Sequence, residues 1–439
     1  MPITPERWLR QGNHAARPRV TARVARLKKS DPKARATLSA GDVRNTVAAR
    51  DVSDLYQLPL MTQQAPASVA TCCIVSGILG NRIFSKRLLE AVDVIGTKPM
   101  AEMYFAAEAY RLHPAPWLLR MSDELEAEAV FRRMLAHDGL PNAATYIVNG
   151  VWLAIVAHKR NPKANWIVAT DSTPLMTDRL RARGYAEVPG LIRRAFRSVQ
   201  SARFRRFARQ VEWWLPMSAT CRESLVEDYG VARERCLVTS APQASVDTEI
   251  PSRKPSAGRW RLLFVGNDFR RKGGPQLCEA LKRLPNAELT IVSRDPEAAR
   301  FGGNLNDRIS LVSHVEEPST LEELYRRSHL LVHPTFVDNY SHVICEGLAR
   351  GLPFVVTEGT PPAELVGQSS AGRTIDWPPS AESVARAVTA ILGDSAQYNY
   401  ATERALAFAQ ERLAPEPFRN LLRHALQGCV DQSYARASG

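Results

Sequence analysis

At 439 residues the chain is long enough for two or three domains. Hydrophobic residues make up 45% and charged residues 23%, the balance of a globular protein with a sizeable core rather than a disordered or fibrous one. The net charge of +13 admits anionic partners, while no apolar leader opens the chain and no run approaches the ~20 apolar residues of a membrane span, so the expected location is the cytoplasm.

Residues 1–50 hold 12 Lys/Arg against 3 Asp/Glu, most of the charge excess, without clear periodicity. Residues 1–65 are therefore expected to form a flexible, disordered basic arm. From about residue 68 strands and helices alternate. "SVATCCIVSG" reads as a buried strand that turns through Gly77 and Gly80 into the helical "FSKRLLEAVDVI". "ATYIVNG", "NWIVAT" and "EWWLPMS" are short apolar runs closed by polar or turn residues, as buried parallel strands are. Between the last two, residues 191–214 read as one basic helix with Ile192, Phe196, Val199, Phe207, Val211 and Trp214 on a common face. Such a helix suits an anionic membrane surface, and the plainer reading is an ordinary surface helix packed by that stripe.

The Pro/Ser-rich stretch 247–260 has the composition of a linker. Past it the alternation restarts with "RLLFVG", a helix from Gln276 to Leu284, "AELTIVS", "ISLVS", the helix "LEELYRRS", "HLLVHP", a helix through "SHVICEGLARG", "PFVVT" and further helices. Two successive α/β units predict an N-terminal doubly wound domain over 66–250 and a C-terminal one over 251–412. A final helical segment, 413–439, is placed to pack back on the first domain. In doubly wound sheets ligands lie beyond the carboxyl ends of the strands, so two facing domains place a substrate in the cleft between them.

Several chemistries lack their signature. No Gly-x-Gly, Walker sequence, Asp-x-Asp or Gly-x-Ser-x-Gly occurs, which disfavours dinucleotide enzymes, metal-dependent transferases and α/β-hydrolases. The seven cysteines show no Cys-x-x-Cys and no zinc spacing, pointing to a reducing compartment without a structural metal. No metal and no cofactor are expected.

Three elements of the second half fit one ligand. In "LLFVGNDFRRKGGPQ", Gly266 ends a strand, Arg271 and Lys272 supply a guanidinium fork and a point charge for phosphate, and Gly273 and Gly274 would let a ligand approach the main chain. Asp338 and Glu346 stand as acid-x7-acid around "DNYS", with a helix starting near Ser341 or His342 whose free N–H groups form an anion site. Glu346 is set to accept from ribose hydroxyls and Asp338 from sugar hydroxyls. A loop with Gly359 and Glu364 follows. Taken singly, each residue could equally be a turn residue or a surface charge.

Together these stretches resemble the retaining glycosyltransferases of family 4, of the GT-B fold, from roughly Ser68 onward. "FVGNDFRRKGG", "DNYSHVICEGLARGLPFVVT", "LPMSATCRESLVEDYGVARERCLVTSAPQASVDTE" and "WIVATDSTP" carry the resemblance. Asp338 replaces the commoner first glutamate, Asn267 stands where many members have arginine, and Ser293–Arg294 follow a strand where glycine is common. The resemblance implies two Rossmann-like domains facing a cleft and transfer of a sugar, with retention, from a UDP-, GDP- or ADP-sugar to a cell-surface glycan or lipid-linked saccharide. It implies Arg271, Lys272, Asp338 and Glu346 as catalytic residues. Gly266, Asn267, Ser293, Arg294, Asn339, Tyr340, Ser341, His342 and Val343 are implied on the donor side. Gly77, Gly80, Arg82 and Asp171 are set to line the acceptor side, Asp171 being equally readable as a cap for "STP". Contact with the inner face of an anionic membrane is compatible with the charge, and a specific nucleic-acid partner is not expected. The rival readings are a GT-B scaffold that binds a sugar or partner without catalysis, an epimerase or phosphorylase on the same fold, and a nucleic-acid binder driven by the arm.

Overall fold

The computed structural model describes residues 70–76, 81–95, 101–105, 123–183, 191–253, 258–301, 307–313, 315 and 317–438. The expected arm, Gly77 and Gly80 lie outside them. The first lobe runs β1 (Thr71–Ser76), α1 (Asn81–Val94), β2 (Ala101–Phe105), α2 (Asp123–Asp138), β3 (Thr145–Asn149), α3 (Val151–His158), β4 (Asn165–Thr170), α4 (Pro174–Ala182), α5 (Leu191–Ala208), β5 (Trp213–Pro216) and α6 (Ala219–Glu223). Its five strands form a parallel sheet in the order β2-β1-β3-β4-β5. Alternate residues of β1 enter different cores, Cys72 and Ile74 on one face and Cys73 and Val75 on the other. A strand buried on both faces must read as an unbroken apolar run, which is why β1, β3 and β4 are conspicuous in the sequence.

The second lobe runs β6 (Trp260–Val265), α7 (Gly274–Ala280), β7 (Ala287–Val292), β8 (Ile309–Val312), α8 (Pro318–Arg327), β9 (Leu330–His333), α9 (His342–Leu348), β10 (Phe354–Thr357), α10 (Glu364–Ser369), β11 (Gly372–Ile375), α11 (Ala381–Leu392), α12 (Ser395–Phe408) and α13 (Pro415–Ser438). Its six strands are parallel, in the order β11-β10-β9-β6-β7-β8. The strand order reverses between β6 and β9, so their carboxyl ends flank a switch point.

One apolar cluster joins the lobes. It runs from Phe84, Leu88 and Val92 of α1 through Ile344 and Leu348 of α9 to Phe418, Leu422, Ala425 and Cys429 of α13. The last four recur at the spacing of one helical face. That face lies on the first lobe: Phe418 meets Phe84 edge-on with ring centroids 5.6 Å apart, and Asn165 Nδ2 donates to Cys429 O at 3.2 Å. All seven cysteines are buried and unbridged.

Several expectations need correction. The basic helix stops at Ala208, not at residue 214, and Trp214 belongs to β5. Val199, assigned to its apolar face, is 57% exposed, while Phe204 is fully buried with Phe207 and Ala208. Phe207 is buried as expected, but Gln200 and Phe204 take the place given to Val199, and Ile192 and Phe196 fall where side chains are not described. β2, β11, α2 and α4 were not anticipated. The two strands lie at sheet edges, where one-sided pairing tolerates Glu102 and Arg373. The linker composition of 247–260 conceals an anchor: Arg253 is buried and donates to the carbonyls of Arg326, Gly351 and Arg350.

Candidate active site

The β6–α7 loop and the β9–α9 loop leave the sheet side by side at the switch point. Lys272 Nζ lies 3.0 Å from Asp338 Oδ2, and His333 Nε2 lies 2.9 Å from the same oxygen. Burial alone would push the Asp338 carboxyl up, but the ammonium and the imidazole hold it well below the usual carboxylate range. Arg271 donates from Nε to Asp268 Oδ2 at 2.5 Å and from Nη1 to Val337 O. Both cations expected to hold phosphate are thus partnered by the chain itself, as cations next to carboxylates must be when no other anion is at hand.

Glycines make this contact possible, though by a different route from the one expected. A Cβ on Gly273, whose φ is +77°, would lie 1.9 Å from Pro334 O, and one on Gly274 would lie 2.1 Å from the Phe269 ring. These two positions admit protein atoms rather than ligand. At Gly266 a Cβ would come within 2.6 Å of Lys272 Cδ, so the missing side chain leaves room for the lysine stem. Beside them Asn267 Oδ1 accepts from Arg294 N at 2.9 Å, and Ser293 Oγ from Asp295 N at 3.1 Å. The first ties the ends of β6 and β7 together, and the second stays within the loop after β7.

The turn before α9 carries unmet polar groups. Asn339 Oδ1, Ser341 Oγ and His342 Nδ1 are buried without a hydrogen-bond partner among the described residues. His342 packs edge-on to Tyr340, and burial pushes its imidazole down to about 4, so the ring is neutral. Tyr340 is committed elsewhere: its hydroxyl accepts from Ala241 N at 2.9 Å. Val343 packs against the shared apolar cluster, leaving its main chain for the turn. Glu346 accepts from the Tyr325 hydroxyl at 2.7 Å. Burial pushes its carboxyl up, against the hydrogen bond from Tyr325 and the charges of Arg350 and, from the first lobe, Arg87.

Across the cleft, Asp171 follows β4. Thr173, not Asp171, caps α4, accepting from Met176 N at 3.2 Å. Asp171 Oδ1 accepts from the Ser172 hydroxyl at 3.1 Å. Burial raises its carboxyl, and the charge of Asp338 adds to that rise, so the two carboxylates of opposite lobes sit within electrostatic reach. Arg82 lies in the first turn of α1. No group of three His, Cys, Asp or Glu able to hold a metal ion occurs among the described residues, nor any helix long and apolar enough to cross a membrane.

Four participants escaped the sequence analysis. His333 and Tyr325 hold the two acids. Arg87 binds Glu90 through Nη1 at 2.7 Å while its Nε stays buried without a partner among the described residues. Glu364, noted only as a loop residue, accepts from Ala219 N at 2.8 Å and Thr220 N at 2.7 Å, bridging the lobes. Only His333 left a trace, a polar residue closing the buried strand "HLLVH" at the carboxyl end where ligands gather.

Residues 246–408 match the family Glycosyl transferases group 1. A stretch of 129 residues is 32% identical to the lipopolysaccharide glucosyltransferase WaaG of Escherichia coli K12, covering 28% of this chain and 34% of that protein. Another, of 140 residues, is 26% identical to a probable sucrose-phosphate synthase of Craterostigma plantagineum, covering 28% of this chain and 13% of that one. The aligned part thus spans about a third or less of either relative. Among solved structures, sucrose-phosphate synthase from Thermosynechococcus elongatus superposes with a TM-score of 0.63 at 16% identity, over 84% of this chain and 100% of that one. Anabaena HepE in complex with UDP-glucose superposes with a TM-score of 0.56 at 12% identity, over 84% and 100%. The chain therefore has the two-lobed GT-B architecture of parallel-sheet, Rossmann-like domains, and its residues 246–408 match the glycosyl transferases group 1 family.

Proposed function

We propose that this chain is a glycosyltransferase that moves a sugar from a nucleotide-diphosphate sugar to an acceptor with retention of configuration. The observation that carries the reading is the convergence, at the switch point of the second sheet, of Arg271, Lys272 and Asp338, with Asp171 opposite. As the sugar leaves, negative charge grows on the β-phosphate and positive charge on the sugar. Arg271, Lys272 and the N–H groups of residues 340–343 are assigned to the phosphate, each preorganised donor worth on the order of ~3–4 kcal/mol. Asp338 accepts from the sugar and Glu346 from the ribose. The departing phosphate takes the acceptor proton, so no separate base is needed. Asp171 lines the acceptor side, together with Arg82 and the Gly77–Gly80 turn.

Support for the donor class comes from HepE, solved with UDP and with UDP-glucose. Support for a cell-surface or lipid-linked acceptor comes from WaaG, a lipopolysaccharide glucosyltransferase. Work at the cytoplasmic face of an anionic membrane fits both that acceptor and the positive charge. In this proposal 66–250 is the acceptor-side domain, 251–412 the donor domain and 413–439 a helix that closes back on the first, with 1–65 as a basic arm.

The test is nucleotide protection. UDP, GDP or ADP should raise the melting temperature of the parent by several degrees, and Arg271→Ala, Lys272→Ala and Glu346→Ala should each weaken the effect about tenfold or more in concentration. If none of the three nucleotides shifts the parent, the donor-site reading fails.

A further inference from the structure

His333 is fully buried at the end of β9, and packing gives no reason for an imidazole there. Its Nε2 lies 2.9 Å from Asp338 Oδ2, while Nδ1 has no partner among the described residues. Burial and the nearby Lys272 charge keep the ring neutral. A carboxylate facing Nε2 requires the proton there, which leaves Nδ1 a bare lone pair. An unpaired buried acceptor destabilises the fold, and a leucine at this strand end would carry no such penalty.

We propose that His333 is a positioning residue that holds Asp338 for the donor sugar once Lys272 is drawn to the diphosphate. The inference rests on the nucleotide-sugar reading above. Asp338 Oδ2 has two donors of different kinds. Lys272 is a mobile ammonium on a four-carbon stem, the group a phosphate would capture. His333 is locked in a buried strand and has nowhere to go. When the lysine turns to phosphate, the imidazole N–H is what keeps Oδ2 in place, leaving Oδ1 to accept a sugar hydroxyl. Without it, Asp338 is free to follow Lys272 and oppose the incoming phosphate charge.

The experiment compares the full-length parent with His333→Leu and His333→Gln. Each is melted without ligand and titrated with the nucleotide that stabilises the parent. The second titrant is that nucleotide's best-bound hexose conjugate from a panel of UDP-, GDP- and ADP-hexoses. His333→Leu should melt no lower than the parent, bind the nucleotide nearly as well and bind the nucleotide sugar about tenfold more weakly. His333→Gln, which keeps an N–H near the Nε2 position, should recover most of that loss. A leucine variant that fails to fold, melts lower or loses both ligands alike makes His333 structural and overturns the proposal, as does unchanged nucleotide-sugar affinity. A parent that binds no nucleotide removes the underlying reading, and the inference with it.

Discussion

Four histidines of this chain are held below their ordinary range by burial: His158, His329, His333 and His342. At His329 the tautomer is set by two bonds, Arg261 N donating to Nδ1 and Nε2 donating to Arg253 O, both 2.9 Å. Protonation would break the first. His329 and His342 are each pushed down to about 4 from an ordinary 6.5. Between those values the unfolded chain binds protons that the native chain does not, so stability rises with pH and is lost on acidification. At pH 5 each of the two should cost roughly 2 kcal/mol. The melting temperature at pH 5 should therefore lie several degrees below that at pH 7.5, and His342→Leu should flatten the slope. A pH-independent melt of the parent would contradict this account. At the same scale, Asp338 was legible as a candidate from its spacing to Glu346, but its partner His333 was not. A spacing argument sees residues eight apart in one segment. The bond to Lys272 depends on β6 and β9 being neighbours, and the bond to His333, five residues away, on how the loop after β9 folds back.

Among the elements, the α7 N-terminus shows how backbone shape sets chemistry. Gly273 is its left-handed cap, and the Pro334 carbonyl sits where a side chain would be. That close approach brings the β9 loop, and with it Asp338, to Lys272. Gly273→Ala combines an unfavourable φ with a backbone clash and should destabilise the protein by about 3 kcal/mol or more. Chemical denaturation would measure the loss, and nucleotide protection should fall in parallel because Lys272 is displaced. A neutral Gly273→Ala would mean that the loops are not in contact. The presence of glycines after β6 was readable from sequence, but not what they admit, since a ligand and a neighbouring carbonyl make the same demand for a missing Cβ. The central strands were readable because burial on both faces forces a continuous apolar run. Of the edge strands, β5 and β8 were readable as well, but β2 and β11 were not, since a strand such as Gly372–Ile375 needs apolar character on one side only. In α5 the buried face includes Gln200, and a polar residue there left Val199 as the apparent apolar position.

For the molecule as a whole, the lobes are joined by more than the apolar cluster. Glu364 of the second lobe caps the first turn of α6 in the first, the Tyr340 hydroxyl accepts from Ala241 N, and Arg183 donates to Gly359 O while stacking 4.8 Å over the Trp377 ring. These polar contacts are strong in one geometry and vanish in any other, so they select the lobe arrangement. Glu364→Ala should cost about 1–2 kcal/mol as a lost helix cap. It should also enlarge the radius of gyration measured by small-angle scattering, because the lobes gain freedom to part. Unchanged scattering from a destabilised variant would confine Glu364 to a local role.

From the sequence alone came the two α/β units, the central strands, the Arg271–Lys272 pair and the acid-x7-acid spacing, because each is written in a single local stretch by periodicity or adjacency. Tertiary structure alone decided which strands are neighbours, that Pro334 rather than a ligand fills the space at Gly273, that Lys272 meets Asp338 and Tyr325 meets Glu346, and that Asp171 lies within electrostatic reach of Asp338. Those facts depend on atoms from segments far apart in the chain meeting across a sheet or a cleft, and no local pattern of residue types encodes such a distance.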